Sequence, residues 1–251
     1  MFQVQDKGKI RRVGELTIPS KYTAENQKNI ERTVEYFLFG DKVPDILQFI
    51  SDNKLYTEHI PISYDDSKRI NTATFVLTAA AFEWNANSFL DIPKSSGREQ
   101  IKQDVLESID KLAEEKSYDS KQKGKLKFFR KRIDEIDTSL SEKIKFSLEK
   151  YNDALLLFIQ NLYGLNRLDT DEINYAKISE RLQNQRNAFA HGQIDRELDE
   201  MMILDIIVLE WLVYCIVLGK IGFTDVEIFN IINAVFRRNF VPKQPEDITV
   251  K

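Results

Sequence analysis

Apolar residues recur along this chain at helical spacing, and the polar stretches between them mark where one helix stops and the next begins. From Thr23 the repeat runs through NIERTVEYFLF, falters at GDKVP and resumes in DILQFISDN. Residues 1–20, closed by Pro19, and 54–65, with Pro61 inside, read as extended segments. Asp66 or Ser67 is placed to cap a long helix over 67–90, with Phe75, Ala79, Phe82 and Phe89 at core spacing. DIPKSSG ends it, a helix follows over 98–116, and the polar stretch 117–124 reads as a loop.

Helical pattern returns at 125–136 and at 140–163, where DALLLFIQNLYGL is apolar on nearly all sides and therefore central. Asp169 with Glu172 resembles a capping box for a helix over 170–190, which Gly192 is suited to stop. Asp195 is placed to cap a helix over 197–219, the most apolar in the chain. Thr224 and Glu227 form a capping box for a last helix that Pro242 prevents from continuing. This pattern predicts an all-α protein, an up-and-down bundle of seven or eight helices with a short extended N-terminal segment. Its expected division is an extension over 1–66, a helical domain over 67–240 and a disordered tail over 241–251.

Composition agrees with long helices and few turns: 251 residues, 42% hydrophobic, 30% charged, with 9 Gly and 6 Pro. The net charge of −4 argues against a broadly basic nucleic-acid coat but leaves room for a local basic patch. Cys215 is the only cysteine and lies inside the apolar run VLEWLVYCIVLG, so no intramolecular disulfide forms. One cysteine and two distant histidines, His59 and His191, do not make a conventional structural zinc site, and no cofactor is expected. The first residues hold no apolar stretch of the secretory kind, so a cytoplasmic location is the expectation. Asp205 and Glu210 interrupt the apolar run 203–219, each at ~2.5–3.5 kcal/mol in a bilayer centre. A helix buried in a protein core, and no membrane partner, is therefore expected.

The chemistry-bearing stretch is QRNAFAHG at 185–192. A basic pair at a helix end is favoured by the helix dipole without any function. Five residues on a straight helix is about 500°, so Arg186 and His191 share one space only if the helix ends between them, and Gly192 is the sign that it does. An arginine grips a phosphate bidentately, and a histidine exchanges protons near neutral pH. Asn187 beside them is suited to hold the phosphate or fix the imidazole tautomer. Such a set fits phosphodiester cleavage, which asks for both a base and an acid. A two-fold dimer supplies both from one histidine per chain.

The run RNAFAHG is similar to the R-N-x-x-x-H form of the motif that marks HEPN domains, and it lies, as there, between two long helices. The aromatic-rich helix INTATFVLTAAAFEWNANSFL resembles the first long helix of the HEPN module in ApeA-like proteins of prokaryotic anti-phage defence, with the likeness covering roughly 67–240. ApeA-like proteins carry a larger region ahead of the module than the 66 residues found here. The resemblance implies a helical homodimer and a metal-independent endoribonuclease, with Arg186 and His191 catalytic and Asn187 as the polar second position. Its products would carry a 2′,3′-cyclic phosphate and a 5′-hydroxyl. The competing class is a non-catalytic helical dimer that binds a nucleotide or a partner protein in the same cleft.

Two further signals each leave two readings open. The stretch KQKGKLKFFRKR at 121–132 holds seven cations, Lys121, Lys123, Lys125, Lys127, Arg130, Lys131 and Arg132, around two phenylalanines. It is either an RNA-backbone cradle or a solvated helix face paired with the DEID that follows. Glu83, among apolar neighbours, either reaches the motif and tunes His191 or pairs with a structural arginine. His59 reads as a plain loop histidine, and the acidic cluster DRELDE at 195–200 as capping chemistry turned away from the cleft.

Overall fold

A computed structural model describes residues 2–6, 9–14, 36–52, 54, 56–60, 70–93, 96–115, 117–134, 138–166, 173–192, 198–236 and 238–241. Its helices are α1 (Val43–Ser51), α2 (Thr72–Phe89), α3 (Ser96–Glu114), α4 (Ser120–Asp134), α5 (Leu140–Lys150), α6 (Asn152–Leu165), α7 (Tyr175–Ala190), α8 (Glu200–Ile221) and α9 (Asp225–Val235). The protein is an all-α bundle. At its N-terminus Phe2–Asp6 and Lys9–Gly14 pair as an antiparallel hairpin, which makes the expected extended segment a true strand pair over those residues.

The core is organised by α8. Its residues are apolar on every side, and so it is packed on every side: α2 lies along it, with α6, α7 and α9 on the remaining flanks. By length and composition α8 would also cross a membrane, yet 67% of its most apolar window is buried inside the protein. Trp211, Leu212 and Ile216 are fully buried. Phe158 of α6 meets Trp211 at 5.7 Å and Phe229 of α9 at 4.7 Å between ring centroids. Truncating either Phe158 or Trp211 to Ala is a cavity change of about 3–5 kcal/mol. The described part of the N-terminal segment packs on this core through Phe39, Ile46, Phe49 and Tyr56, and one polar contact adds to that packing. Lys42 donates to the Gly222 carbonyl at 2.6 Å and to Glu227 at 2.9 Å, beneath the ring of Phe223. Gly222 accepts that close approach at φ +102, a left-handed cap that favours glycine.

Several boundaries differ from the sequence expectation, each for a local reason. The cap of α2 is Asn71, whose side chain accepts from the Thr74 N–H at 2.9 Å, so the helix starts at Thr72. Of the expected loop over 117–124 only 117–119 lie outside a helix: Asp119 and Gln122 exchange side-chain and backbone hydrogen bonds at 2.8 and 2.9 Å, a capping box that opens α4 at Ser120. The expected single helix over 140–163 is broken at Tyr151 into α5 and α6, where the buried tyrosine packs against Gly219 of α8. Asn174 caps α7 and Asp199 caps α8, each several residues after the expected start. The box of Thr224 and Glu227 opens α9 as expected, but that helix stops at Val235, well before Pro242. There Asn233 bonds the backbone of Phe240 in both directions and turns the chain back. The expected caps Asp66, Ser67, Asp169, Glu172 and Asp195, and the tail beyond Val241, lie outside the described residues.

α3 and α4 stand apart from this packing. They form a helical hairpin and pack chiefly on each other, joined by Arg130 to Asp110 at 2.7 Å and by Lys102 to the Asp134 carbonyl at 2.6 Å.

Candidate functional site

The motif stretch is positioned by α7. Asn174 starts the helix by accepting from the backbone N–H groups of Ala176 and Lys177. Ile178, Ser179, Leu182, Gln185 and Phe189 then form its buried stripe. Phe189 lies edge-on to Phe75 of α2 at 5.8 Å, which holds the last turn against that helix. The end is set by backbone chemistry: the His191 N–H still reaches the Asn187 carbonyl at 3.0 Å, and Gly192 turns away at φ +80. A side chain other than glycine is strained there.

Arg186 is half-buried and donates one hydrogen bond, from Nη2 to Glu83 Oε2 of α2 at 3.1 Å. Their side chains keep 42% and 28% exposure. Asn187 and His191 are exposed beside it. The structure thus brings Glu83 to the motif, but its carboxylate lies on Arg186 rather than on His191. The expectation that Arg186 and His191 converge within one chain needs correction. The helix continues to Ala190 and His191 closes it with φ −92, so the two residues stay on one spiral. On that spiral they leave the axis about 140° apart.

Five residues before Arg186, α7 carries a second arginine that sequence reasoning passed over. Arg181 grips Asp205 of α8 with both prongs, at 2.7 and 2.9 Å, and the Tyr163 hydroxyl of α6 donates to the same carboxylate. Asp205 is fully buried. Burial pushes its carboxyl upward, against the guanidinium and the phenol that favour the charged form. The carboxylate in turn holds Arg181 above its ordinary value. Burial also pushes the Tyr163 phenol up. The signal in the sequence was Asp205 itself, a carboxylate inside an apolar helix that needed a cation.

Near the Glu83–Arg186 contact in sequence lie two buried amides with unmet hydrogen bonds. Among the described residues Asn85 on α2 has no partner for either side-chain atom, and Gln185 on α7 has none for its nitrogen.

The basic run forms the outer helix of the α3–α4 hairpin. Arg130 is engaged by Asp110, whereas Lys121, Lys123, Lys125 and Lys127 make no ion pair among the described residues. The pairing with DEID that the solvated-face reading required is not what holds Arg130, and residues 135–137 lie outside the described residues. In the acidic cluster, Asp199 accepts from the Met202 N–H at 2.7 Å, which is capping as expected, while 195–197 lie outside the described residues. His59 is more than a plain loop residue: it stacks on Tyr56 and lines an apolar cavity of about 330 Å³ against α8 and α9. Among the described residues no three His, Cys, Asp or Glu side chains gather as metal ligands.

No protein-family model, no curated protein and no solved structure matches this chain.

Proposed function

We propose that the protein is an endoribonuclease whose site is composed across a two-fold dimer from the C-terminal ends of two α7 helices. The observation that carries this reading is the state of Arg186. Among the described residues it has one hydrogen bond where a guanidinium has five donors, it is partly open to solvent, and Asn187 and His191 of the same helix end are exposed. A phosphate can take two of the unused donors bidentately, one on each of two oxygens.

The dimer is asked for by direction. Side chains about 140° apart on one helix do not meet at one phosphorus, but the partner's His191 can face Arg186 across a two-fold axis. Support for such a contact comes from α2, which presents Val76, Leu77 and Trp84 as an exposed apolar face beside Glu83. In the composite site one His191 takes the proton of a ribose 2′-hydroxyl as that oxygen attacks phosphorus. The partner's His191 protonates the departing 5′-oxygen. The products are a 2′,3′-cyclic phosphate and a 5′-hydroxyl. Arg186 neutralises the charge that grows on the phosphorane oxygens. Host or viral RNA in a defence setting is the substrate that the motif resemblance suggests.

The test is cleavage of total RNA by purified protein, with and without EDTA. We expect RNA to be cut in EDTA, DNA of the same sequence to stay intact, and His191→Ala or Arg186→Ala to lose at least a hundredfold in rate while keeping the parental helicity. Both variants cutting at the parental rate would overturn the site. The Glu83–Arg186 contact favours one other reading, a binding module in which the carboxylate keeps the arginine occupied. It predicts tight nucleotide or partner binding with no cleavage under any of these conditions.

A further inference from the structure

We propose that the outer face of α4 is a landing strip for single-stranded RNA, on which Phe128 stacks an unpaired base between cations. The choice of RNA over DNA rests on the ribonuclease reading above; the stacking does not.

The observation is an arrangement rather than a charge count. On α4 the residues turned toward α3 are Lys123, Leu126, Arg130 and Ile133, all half-buried. The opposite side carries Lys121, Lys125, Phe128 and Arg132 at steps of four, three and four residues, which is a single stripe about 16 Å long. All four are exposed. Phe128 keeps 55% of its surface in water, and Arg132 lies over its ring at 5.4 Å. Phe129, 53% exposed, stands edge-on to Phe128 at 5.8 Å and props it outward.

Two features exclude the ordinary explanations. A solvated helix face gains nothing from two adjacent half-exposed phenylalanines, each of which costs free energy in water without a partner. A face for an apolar protein partner does not hold lysines that no carboxylate answers, and Lys121 and Lys125 make no ion pair among the described residues. A strand with spread bases satisfies both: its phosphates meet the cations, and a base face covers the ring. A duplex satisfies only the first, because its base faces are stacked inside. The hairpin packs chiefly on itself rather than on the bundle, so this stripe is open along its length.

The test is fluorescence anisotropy with full-length His191→Ala protein, which removes cleavage from the readout, and labelled 12-nucleotide oligouridine or a 12-base-pair RNA duplex. We expect single strand to bind more tightly than duplex at equal salt. Phe128→Ala should weaken the single strand about tenfold and leave the duplex unchanged. Phe128→Trp should restore binding, and Lys121→Ser with Lys125→Ser should flatten the salt dependence for both probes. Equal binding of the single strand by Phe128→Ala and its parent would overturn the proposal, as would preference for duplex, or binding to anionic phosphatidylserine vesicles in place of either RNA. If the strand binds through Phe128 but the parental protein cuts no RNA, the nuclease reading falls and the strip stands. If RNA is cut while Phe128→Ala binds as its parent does, the strip falls and the nuclease stands.

Discussion

Arg181 and Arg186 lie on the same helix, five residues apart, and each meets a carboxylate from another helix. Arg181 meets Asp205 with two bonds at 2.7 and 2.9 Å, and the carboxylate is sealed from solvent and shared with Tyr163. Arg186 meets Glu83 with one bond at 3.1 Å, and both side chains remain partly in water. The first pair is geometrically complete, and its members have little capacity left for a ligand. The second is incomplete by the same standard. A saturated buried pair locks helices together, whereas a half-exposed single contact orients a group and leaves its donors free. One helix thus holds an anchor and, in the proposed function, a tool, about 140° apart around its axis.

The same substitution at both positions gives the largest separation. Arg181→Met leaves Asp205 buried without its cation and is expected to cost about 3–5 kcal/mol in urea unfolding. Arg186→Met is expected to cost less than about 1 kcal/mol, since its pair is screened by solvent. Equal costs at the two sites would erase the distinction between anchor and tool.

The sequence showed one of these arginines and not the other, and the reason is physical. Arg186 lies in a local pattern, RNAFAHG, whose members are neighbours in the chain and are read without knowing the fold. Arg181 earns its role from Asp205 and Tyr163, which are 24 and 18 residues away and meet it only once α6, α7 and α8 pack. The all-α class was legible because apolar periodicity is a property of each helix alone. So was the box of Thr224 and Glu227, which is closed within one turn. Helix starts were misplaced where several polar residues competed for the cap, as at Asp66, Ser67 and Asn71. The break at Tyr151 was not legible in the local pattern, and neither was the contact made there: the tyrosine packs on α8, where a Cβ on Gly219 would lie 2.6 Å from its hydroxyl. The convergence of Arg186 with His191 was inferred from Gly192, but a glycine one residue past the histidine ends the helix after it rather than before.

A pH titration sharpens the comparison at the anchor. Tyr163 is held well above the ordinary phenol value by burial and by the neighbouring Asp205 charge, and Tyr151 and Tyr175 are raised chiefly by burial. A group whose folded pKa is raised contributes stability that is intact below its unfolded value, about 10 for tyrosine, and is lost as pH climbs beyond it. Unfolding free energy should therefore fall above pH 10, by up to about 1.4 kcal/mol per pH unit for each such tyrosine. Tyr163→Phe should lose about 1 kcal/mol at pH 8, where its hydrogen bond is missing. Above pH 10 the gap to the parent should narrow, because the variant has one fewer phenol to ionise. A gap that stays constant to pH 11 would show that Tyr163 is not protected in the folded state.

The smallest effect on stability, and the most telling for function, is expected from Glu83→Gln. Glutamine keeps the length of the side chain and an oxygen to accept from Arg186, but removes the charge. Because both partners are more than a quarter exposed, the change in unfolding free energy should stay within about 0.5 kcal/mol. At the site the consequence is larger. A phosphate and the Glu83 carboxylate compete for the same guanidinium, and the carboxylate also repels an approaching strand. With the charge gone, the affinity for RNA at low salt should rise severalfold, and the gain should shrink as salt screens the repulsion. Arg186→Ala should abolish that gain, because the competition runs through its guanidinium; the double variant should bind as Arg186→Ala does alone. If Glu83→Gln instead costs as much stability as Arg181→Met, the contact at 3.1 Å is a second anchor, and α7 carries no free arginine at its end.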